Sequence, residues 1–282
     1  MWHVGYITED KIFDRDHRIF NIYFLNILRG VVLRLRFIDA RVWRYSIAAL
    51  EDLVETGLME VNENGLRMKA MDPAHVAMID FHIPREGFDI FEIEREEKIP
   101  VNLEVMIKIL RRAGKKDEIS LSYEPPNINV GLISPDGIER VFQFTAISGA
   151  GFEEIPELSL EFPVEASVIP QAFKSSYKVL SEVGDVIEII ARKDKMLFSS
   201  SSELTNVEIE LSTETNLLTR YEFKADNDQR SKYTLDYFDK MAKLSMISES
   251  IDLYFGEGLP VKVVARLPRG AWLTLYVAPR EE

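Results

Sequence analysis

The stretch VNLEVMIKILRRAGKK, residues 101–116, packs five cations into its last nine positions: Lys108, Arg111, Arg112, Lys115 and Lys116. Its first twelve residues are echoed by YTLDYFDKMAKL at 233–244, 132 residues later. At that spacing Leu103 matches Leu235, Glu104 matches Asp236, Lys108 matches Lys240 and Arg111 matches Lys243. The register continues, with EISL (118–121) falling on SIDL (250–253) and Phe144 on Tyr276. At a spacing of about 130, GLRMKAMDPAHVAMIDF (65–81) lies over KMLFSSSSELTNVEIEL (195–211). A helix expected at 44–56 likewise lies over one at 171–183. Self-similarity at a fixed period means that the chain is two copies of one structural module.

Each copy reads as strand, helix, several strands, helix, several strands. MEVNENGLRMKAM is a hairpin turning on Asn64–Gly65. VIEIIA (186–191), VEIEL (207–211) and LPVKVVARL (259–267) are rich in β-branched residues. About nine strands and two helices per module predict an α+β fold, with antiparallel sheets carrying helices on one face. The segment AISGAGFEEIPEL (146–158) has glycines, an acidic pair and no periodicity, so it reads as an exposed interdomain connector. The expected organisation is a first domain over 37–145, a connector over 146–158 and a second domain over 159–282. Residues 1–36 form an N-terminal extension unlike the rest. Regular structure is expected to begin near Leu33, and Val31, Val32 or Leu33 could mark the true start. RIFNIYFLNILRGVVLRLRF (18–37) is too short and too interrupted by Asn and Arg for a membrane span. An appended helix or membrane anchor over 18–33 is the competing expectation.

The chain has 282 residues, 46% of them apolar, and no cysteine. Disulfides, thiolate metal sites and cysteine nucleophiles are thereby excluded. The formal charge is −13, from 34 basic and 47 acidic residues. Such a total argues against a protein coated in nucleic acid, yet permits a local basic surface. The charges are sorted. On the 101–116 helix, Glu104, Lys108, Arg111 and Lys115 share a face. Lys240 and Lys243 repeat that stripe, and Lys174 and Lys178 form another. Lysines on the solvent side of an amphipathic helix are ordinary taken singly. Three such helices in an acidic chain point instead to a polyanion. These stripes place no Asn or Gln to pair with adenine, so contacts would go to phosphates and ignore sequence. Each neutralised phosphate adds roughly 0.9 to the salt slope, which suits a protein that slides. The first helix departs from the pattern: after Arg41 and Arg44 its exposed side runs Glu51, Asp52, Glu55.

A catalytic reading finds little support. His75 and His82 are the only histidines after residue 36, and their spacing suits no metal motif. No Gly-rich phosphate loop occurs. Glu153 and Glu154 sit on an exposed connector, where raised carboxylate pKa values are not expected, and SSSSEL (199–204) lacks an accompanying base. The expectation is a binding protein without cofactor or metal.

GLRMKAMDPAHVAMIDFHIPREGFD (65–89) resembles the signature region of the proliferating cell nuclear antigen family, the DNA sliding clamps of archaea and eukaryotes. VNLEVMIKIL (101–110), VLSEVGDVIEI (179–189), KMLFSSSSEL (195–204) and LTLYVAPREE (273–282) resemble the same family, in order, from about residue 37 to the C-terminus. The absence of cysteine and the opening DARVWRYSIAAL look archaeal. The resemblance implies a three-subunit ring with helices lining the hole. The implied DNA contacts are Arg44, Lys108, Arg111, Arg112, Lys115, Lys174, Lys178, Lys240 and Lys243. Subunits would join through ERVFQFT (139–145) and LTNVEIEL (204–211), using Val141, Phe142, Phe144, Val207, Ile209 and Leu211. A partner-peptide cleft is implied at Met71, His75, Val76, Met78, Pro260, Tyr276, Val277, Ala278 and Pro279, covered by Phe152 and Ile155. Implied partners are double-stranded DNA, DNA polymerase, flap endonuclease, DNA ligase and an ATP-driven loader. The implied setting is the cytoplasm, at the nucleoid. A homotrimer and a specialised or checkpoint-type subunit of a heterotrimer both stay open. The acidic first helix favours the second, through reduced direct DNA contact.

Overall fold

The computed structural model describes residues 30–148, 152 and 155–280. The first module comprises β1 (Leu33–Phe37), α1 (Ala40–Glu51), β2 (Thr56–Asn62), β3 (Gly65–Met71), β4 (Ala77–Pro84), β5 (Ile90–Ile93), β6 (Glu97–Asn102), α2 (Leu103–Leu110), β7 (Glu118–Glu124), β8 (Asn127–Ile133) and β9 (Glu139–Thr145). The second repeats that order: β10 (Val164–Val168), α3 (Pro170–Ser181), β11 (Val186–Ala191), β12 (Met196–Ser201), β13 (Asn206–Leu211), β14 (Leu218–Phe223), β15 (Gln229–Thr234), α4 (Phe238–Leu244), β16 (Ser250–Phe255), β17 (Val261–Arg266) and β18 (Trp272–Val277). Each module therefore has nine strands and two α-helices among the described residues. Since β1 already starts at Leu33, residues 33–36 belong to the first module's sheet. The apolar run before it falls almost wholly outside the described residues.

Local chemistry sets the boundaries. The first helix starts four residues before the sequence reading placed it, because the Asp39 side chain accepts the Arg41 amide at 2.9 Å and caps it. Its end at Glu51 leaves Asp52 as C-cap. Asn102 caps α2 through the Val105 amide at 2.8 Å. That helix stops at Leu110, where the Arg112 and Ala113 amides tighten onto Ile109 and Leu110 and Asp117 captures the Gly114 amide. In the β2–β3 hairpin Asn62 pairs with Gly65, so the turn residues are Glu63 and Asn64 rather than Asn64 and Gly65. Gly65 has φ +134°, and a Cβ there would sit 2.2 Å from the Ile83 carbonyl oxygen. No other residue type fits that approach.

All sheets are antiparallel, in three groups: β5-β1-β7-β8-β9, β14-β10-β16-β17-β18-β4-β3-β2-β6 and β13-β12-β11-β15. The nine-stranded sheet belongs to both modules. Its seam is β18 against β4, with Leu275 opposite Ile79 and Leu273 opposite Phe81. The helices adjoin in the order α2, α1, α4, α3 and lie against these strands. Between the layers runs a continuous apolar core, anchored by Trp43, Phe81, Phe173, Phe198 and Phe238. At roughly 25 cal/mol per Å² of apolar surface, burial of this kind dominates stability.

The pairings also refine the repeat. Leu66 pairs with Ile83, and its counterpart Met196 pairs with Leu211, so Ile79, Phe81 and Ile83 correspond to Val207, Ile209 and Leu211; the turn is two residues shorter in the second module, and Phe81 does not fall on Leu211 as a uniform spacing of about 130 implies. Ile119 pairs with Leu132, while its counterpart Ile251 pairs with Ala265. One residue has therefore entered the second module's hairpin, and Phe144 corresponds to Val277, not to Tyr276. The seam strands β4 and β18 thus have counterparts in β13 and β9. Both counterparts are sheet edges without a partner strand among the described residues.

Candidate nucleic-acid interface and adjoining joints

Several of the predicted cations lie where a polyanion can reach them. Arg111, Lys115 and Lys178 are exposed, as is the neighbouring Lys116, which is not among the predicted contacts, and Lys174 is partly exposed. None of their side chains has an ion pair among the described residues. Lys115 lies beyond the end of α2, in the turn closed by Asp117, so it is not on the helical stripe the sequence suggested. Arg111 lies near enough to Lys243 for its charge to oppose the rise in that lysine's pKa. The two modules' stripes thereby meet. Lys243 is exposed but engaged by Asp239 at 2.5 Å, and that hydrogen bond is the main reason its pKa is raised. Arg44 stands 5.8 Å from the centre of the Tyr45 ring.

Besides Lys243, three more of the predicted contacts have other occupations. Lys240 is not a free surface cation. Its side chain is only 11% exposed and its Nζ lies 3.6 Å from Asp52 Oδ2, with the Tyr237 ring beside it. It joins α4 to the end of α1, and the acidic end of the first helix has its partner here. Arg112 turns toward the β9 edge and stacks 5.8 Å over Phe142. Lys108 is exposed but bridges to Glu104 at 2.5 Å, one helical turn back.

At the predicted subunit edges, Val141 is 60% exposed, Phe142 and Phe144 are half-buried against the core, and Val207 and Ile209 are partly buried. Leu211 is wholly buried in its own module, so it cannot reach a neighbour. Leu204 opens the predicted edge LTNVEIEL, although sequence reading does not single it out as a contact. It is 95% exposed at the β12–β13 turn, an apolar residue with nothing to cover it among the described residues.

The predicted peptide cleft sits around the seam. Met71, Val76, Pro260, Tyr276, Ala278 and Pro279 are partly exposed, and His75 is exposed with φ 56°. Met78 is 5% exposed and Val277 is buried, so these two offer no open side chain to a ligand. The β3–β4 turn is closed by the Asp72 carboxylate, which accepts the Ala77 amide and the Tyr237 hydroxyl. The connector is pinned over the sheet by Glu157, held by Lys69 at 2.6 Å and Arg67 at 2.8 Å. Those cations hold the Glu157 carboxyl below its usual range. Arg67 also forks onto Asp80. Phe152 and Ile155 are half-buried; Glu153 and Glu154 lie outside the described residues.

Beside this network the His82 ring lies tilted against Trp272 with ring centres 5.2 Å apart, and its buried Nδ1 has no hydrogen-bond partner among the described residues. Burial, then the Arg67 charge, lowers its pKa below the ordinary value. A base depressed in the fold gives stability that is complete above the unfolded-state pKa, about 6.5, and is lost as pH falls toward the folded value. The expected result is a melting temperature that drops below pH 6.5, with a shallower slope in His82→Phe. Thermal melts of both proteins from pH 7.5 to 5 check it.

Patterns for two family domains match in the same order as the modules. "Proliferating cell nuclear antigen, N-terminal domain" covers residues 32–143 and "Proliferating cell nuclear antigen, C-terminal domain" covers residues 154–280. The chain belongs to the proliferating cell nuclear antigen family. Among relatives, DNA polymerase sliding clamp 3 of Aeropyrum pernix is 33% identical, over 88% of this chain and 98% of that protein. DNA polymerase sliding clamp 3 of Sulfurisphaera tokodaii is also 33% identical, over 89% and 100%. A PCNA2–PCNA3 complex from Sulfolobus tokodaii aligns at a TM-score of 0.80 and 32% identity, covering 88% of this chain and all of that one. PCNA from Thermococcus kodakaraensis aligns at 0.79 and 26% identity, again over 88% and all of the other. As a clamp-family chain it is a scaffold, not an enzyme. No described helix is long and apolar enough to cross a membrane.

Proposed function

We propose that this chain is a subunit of a DNA sliding clamp, a ring of three two-module chains that encircles duplex DNA and holds replication and repair enzymes on it. One observation carries the ring. The β4–β18 seam is complete inside the chain, while the counterparts β13 and β9 end their sheets unpaired among the described residues. Unpaired edges with apolar residues call for a partner strand, and a head-to-tail joint that closes gives a ring. Transferring the seam register to the edges sets Phe142 opposite Val207, Val141 opposite Glu208 and Thr145 opposite Leu204. The exposed Leu204 is then covered.

In such a ring the helices face the opening, and Arg111, Lys115, Lys174, Lys178, Lys243 and Arg44 meet phosphates without reading bases. The mechanism is topological: a ring leaves duplex DNA only over an end or by opening. A polymerase, flap endonuclease or ligase held by a short peptide at the seam cleft stays at high effective concentration. Methionines such as Met71 suit varied apolar peptide anchors. The setting is the cytoplasm, at the nucleoid. The test is retention: clamp loaded on closed circular DNA should stay through gel filtration and escape once the circle is cut. Equal loss from both forms would refute the topological mechanism.

A second reading places a sister clamp chain beside this one. The PCNA2–PCNA3 complex among the similar structures favours it.

A further inference from the structure

We infer that Lys108 is a subunit-joining residue, and that across the ring joint it forms an ion pair with Glu182 of an adjacent copy of this same chain. The inference rests on the ring reading above. Inside the chain, the seam that brings β4 to β18 also brings the end of α1 to α4, where Lys240 meets Asp52 at 3.6 Å. The repeat supplies the counterparts. Lys108 occupies on α2 the place of Lys240, with Leu103, Met106 and Ile109 buried as Leu235, Phe238 and Met241 are. Glu182 is the C-cap of α3 as Asp52 is of α1, and Phe173, Ser176 and Leu180 are buried where Trp43, Ser46 and Leu50 are. A joint that pairs β13 with β9 in the seam's register brings the end of α3 beside α2.

The exposed state of both groups fits this role. The Lys108 side chain is 63% exposed and rests on Glu104, a neighbour of its own helix. Glu182 is exposed and has no ion pair among the described residues. Val179, close by on α3, is 43% exposed, whereas its counterpart Ala49 is 3% exposed. An apolar group left open at a position that the other module buries marks a surface awaiting cover. The charges have opposite sign, so a second copy of the chain is complementary to the first at this point.

The test is a charge swap on the full chain, read by mass in solution at micromolar concentration. Lys108→Glu and Glu182→Lys should each weaken self-association about tenfold or more, through like charges across the joint. The double variant should regain most of it. Lys108→Gln, studied at a concentration high enough to keep the ring assembled, should hold DNA with a salt slope close to the original, which a lysine neutralising a phosphate would not allow. Failure of the double variant to recover assembly would overturn the pairing, as would a wild-type chain that stays monomeric and assembles only with a sister chain. Val141→Asp with Leu204→Asp tells the two levels apart. If that change leaves assembly untouched, the β9–β13 joint itself is wrong. If it dissolves assembly while the swap fails, only the Lys108–Glu182 pair is refuted.

Discussion

Replacing Arg111, Lys174 and Lys178 together with glutamate is expected to release the ring from DNA while leaving its mass unchanged. These three cations are at least partly exposed and none is spent on an ion pair among the described residues, so reversal removes no packing. Each phosphate that is no longer neutralised should lower the slope of log affinity against log salt by roughly 0.9. Because the cations read no bases, the weakening should be equal on unrelated sequences. Polymerase stimulation on a primed circle should fall with it. Lys240 is the wrong residue for this experiment despite its place in the repeat. Its substitution would cut the link to Asp52 and disturb the helix layer. Unchanged binding and slope in the triple variant would place the DNA elsewhere.

The second large effect is expected at the edges. Val141→Asp with Leu204→Asp should dissolve the assembly and leave the folded subunit as stable as before. Both side chains are open to water in the single chain, at 60% and 95% exposure, so folding gains nothing from them. In the joint they lose water, and covering an aliphatic side chain of this size contributes about 1.5–3 kcal/mol. The change at Val141 also brings a new carboxylate against Glu208 of the adjacent copy. A weakening of at least about a hundredfold follows from the two burial contributions, at 1.4 kcal/mol per factor of ten. Analytical ultracentrifugation of single and double variants, in parallel with thermal melts, checks it. A fall in melting temperature of the isolated subunit would show that these residues serve the fold instead.

Much of the molecule could be read along the chain. The offset between VNLEVMIKILRR and YTLDYFDKMAKL, the strand-rich composition and the charged helix stripes give two α+β modules and a basic surface, because periodicity and repetition are local properties of sequence. The helix start at Asp39 was missed, since a cap is decided by one side chain and not by the apolar period. The hairpin insertion that moves Phe144 from Tyr276 onto Val277 was also hidden, because strand pairing records register and spacing in sequence does not.

The sequence by itself determined that there are two modules, that three of their four helices carry basic stripes, that cysteine chemistry is absent and that the family signature runs the length of both modules. Tertiary structure alone decided which of two equivalent residues is tied to another helix of the chain. Lys108 and Lys240 stand at matching places in the repeat, yet only Lys240 lies beside another helix of its own chain and gives its charge to Asp52. Likewise β4 is sealed by β18 while β13 stays open. A repeat specifies equal modules, but a chain with two ends can join them only once. The second, identical joint has to be made with another molecule.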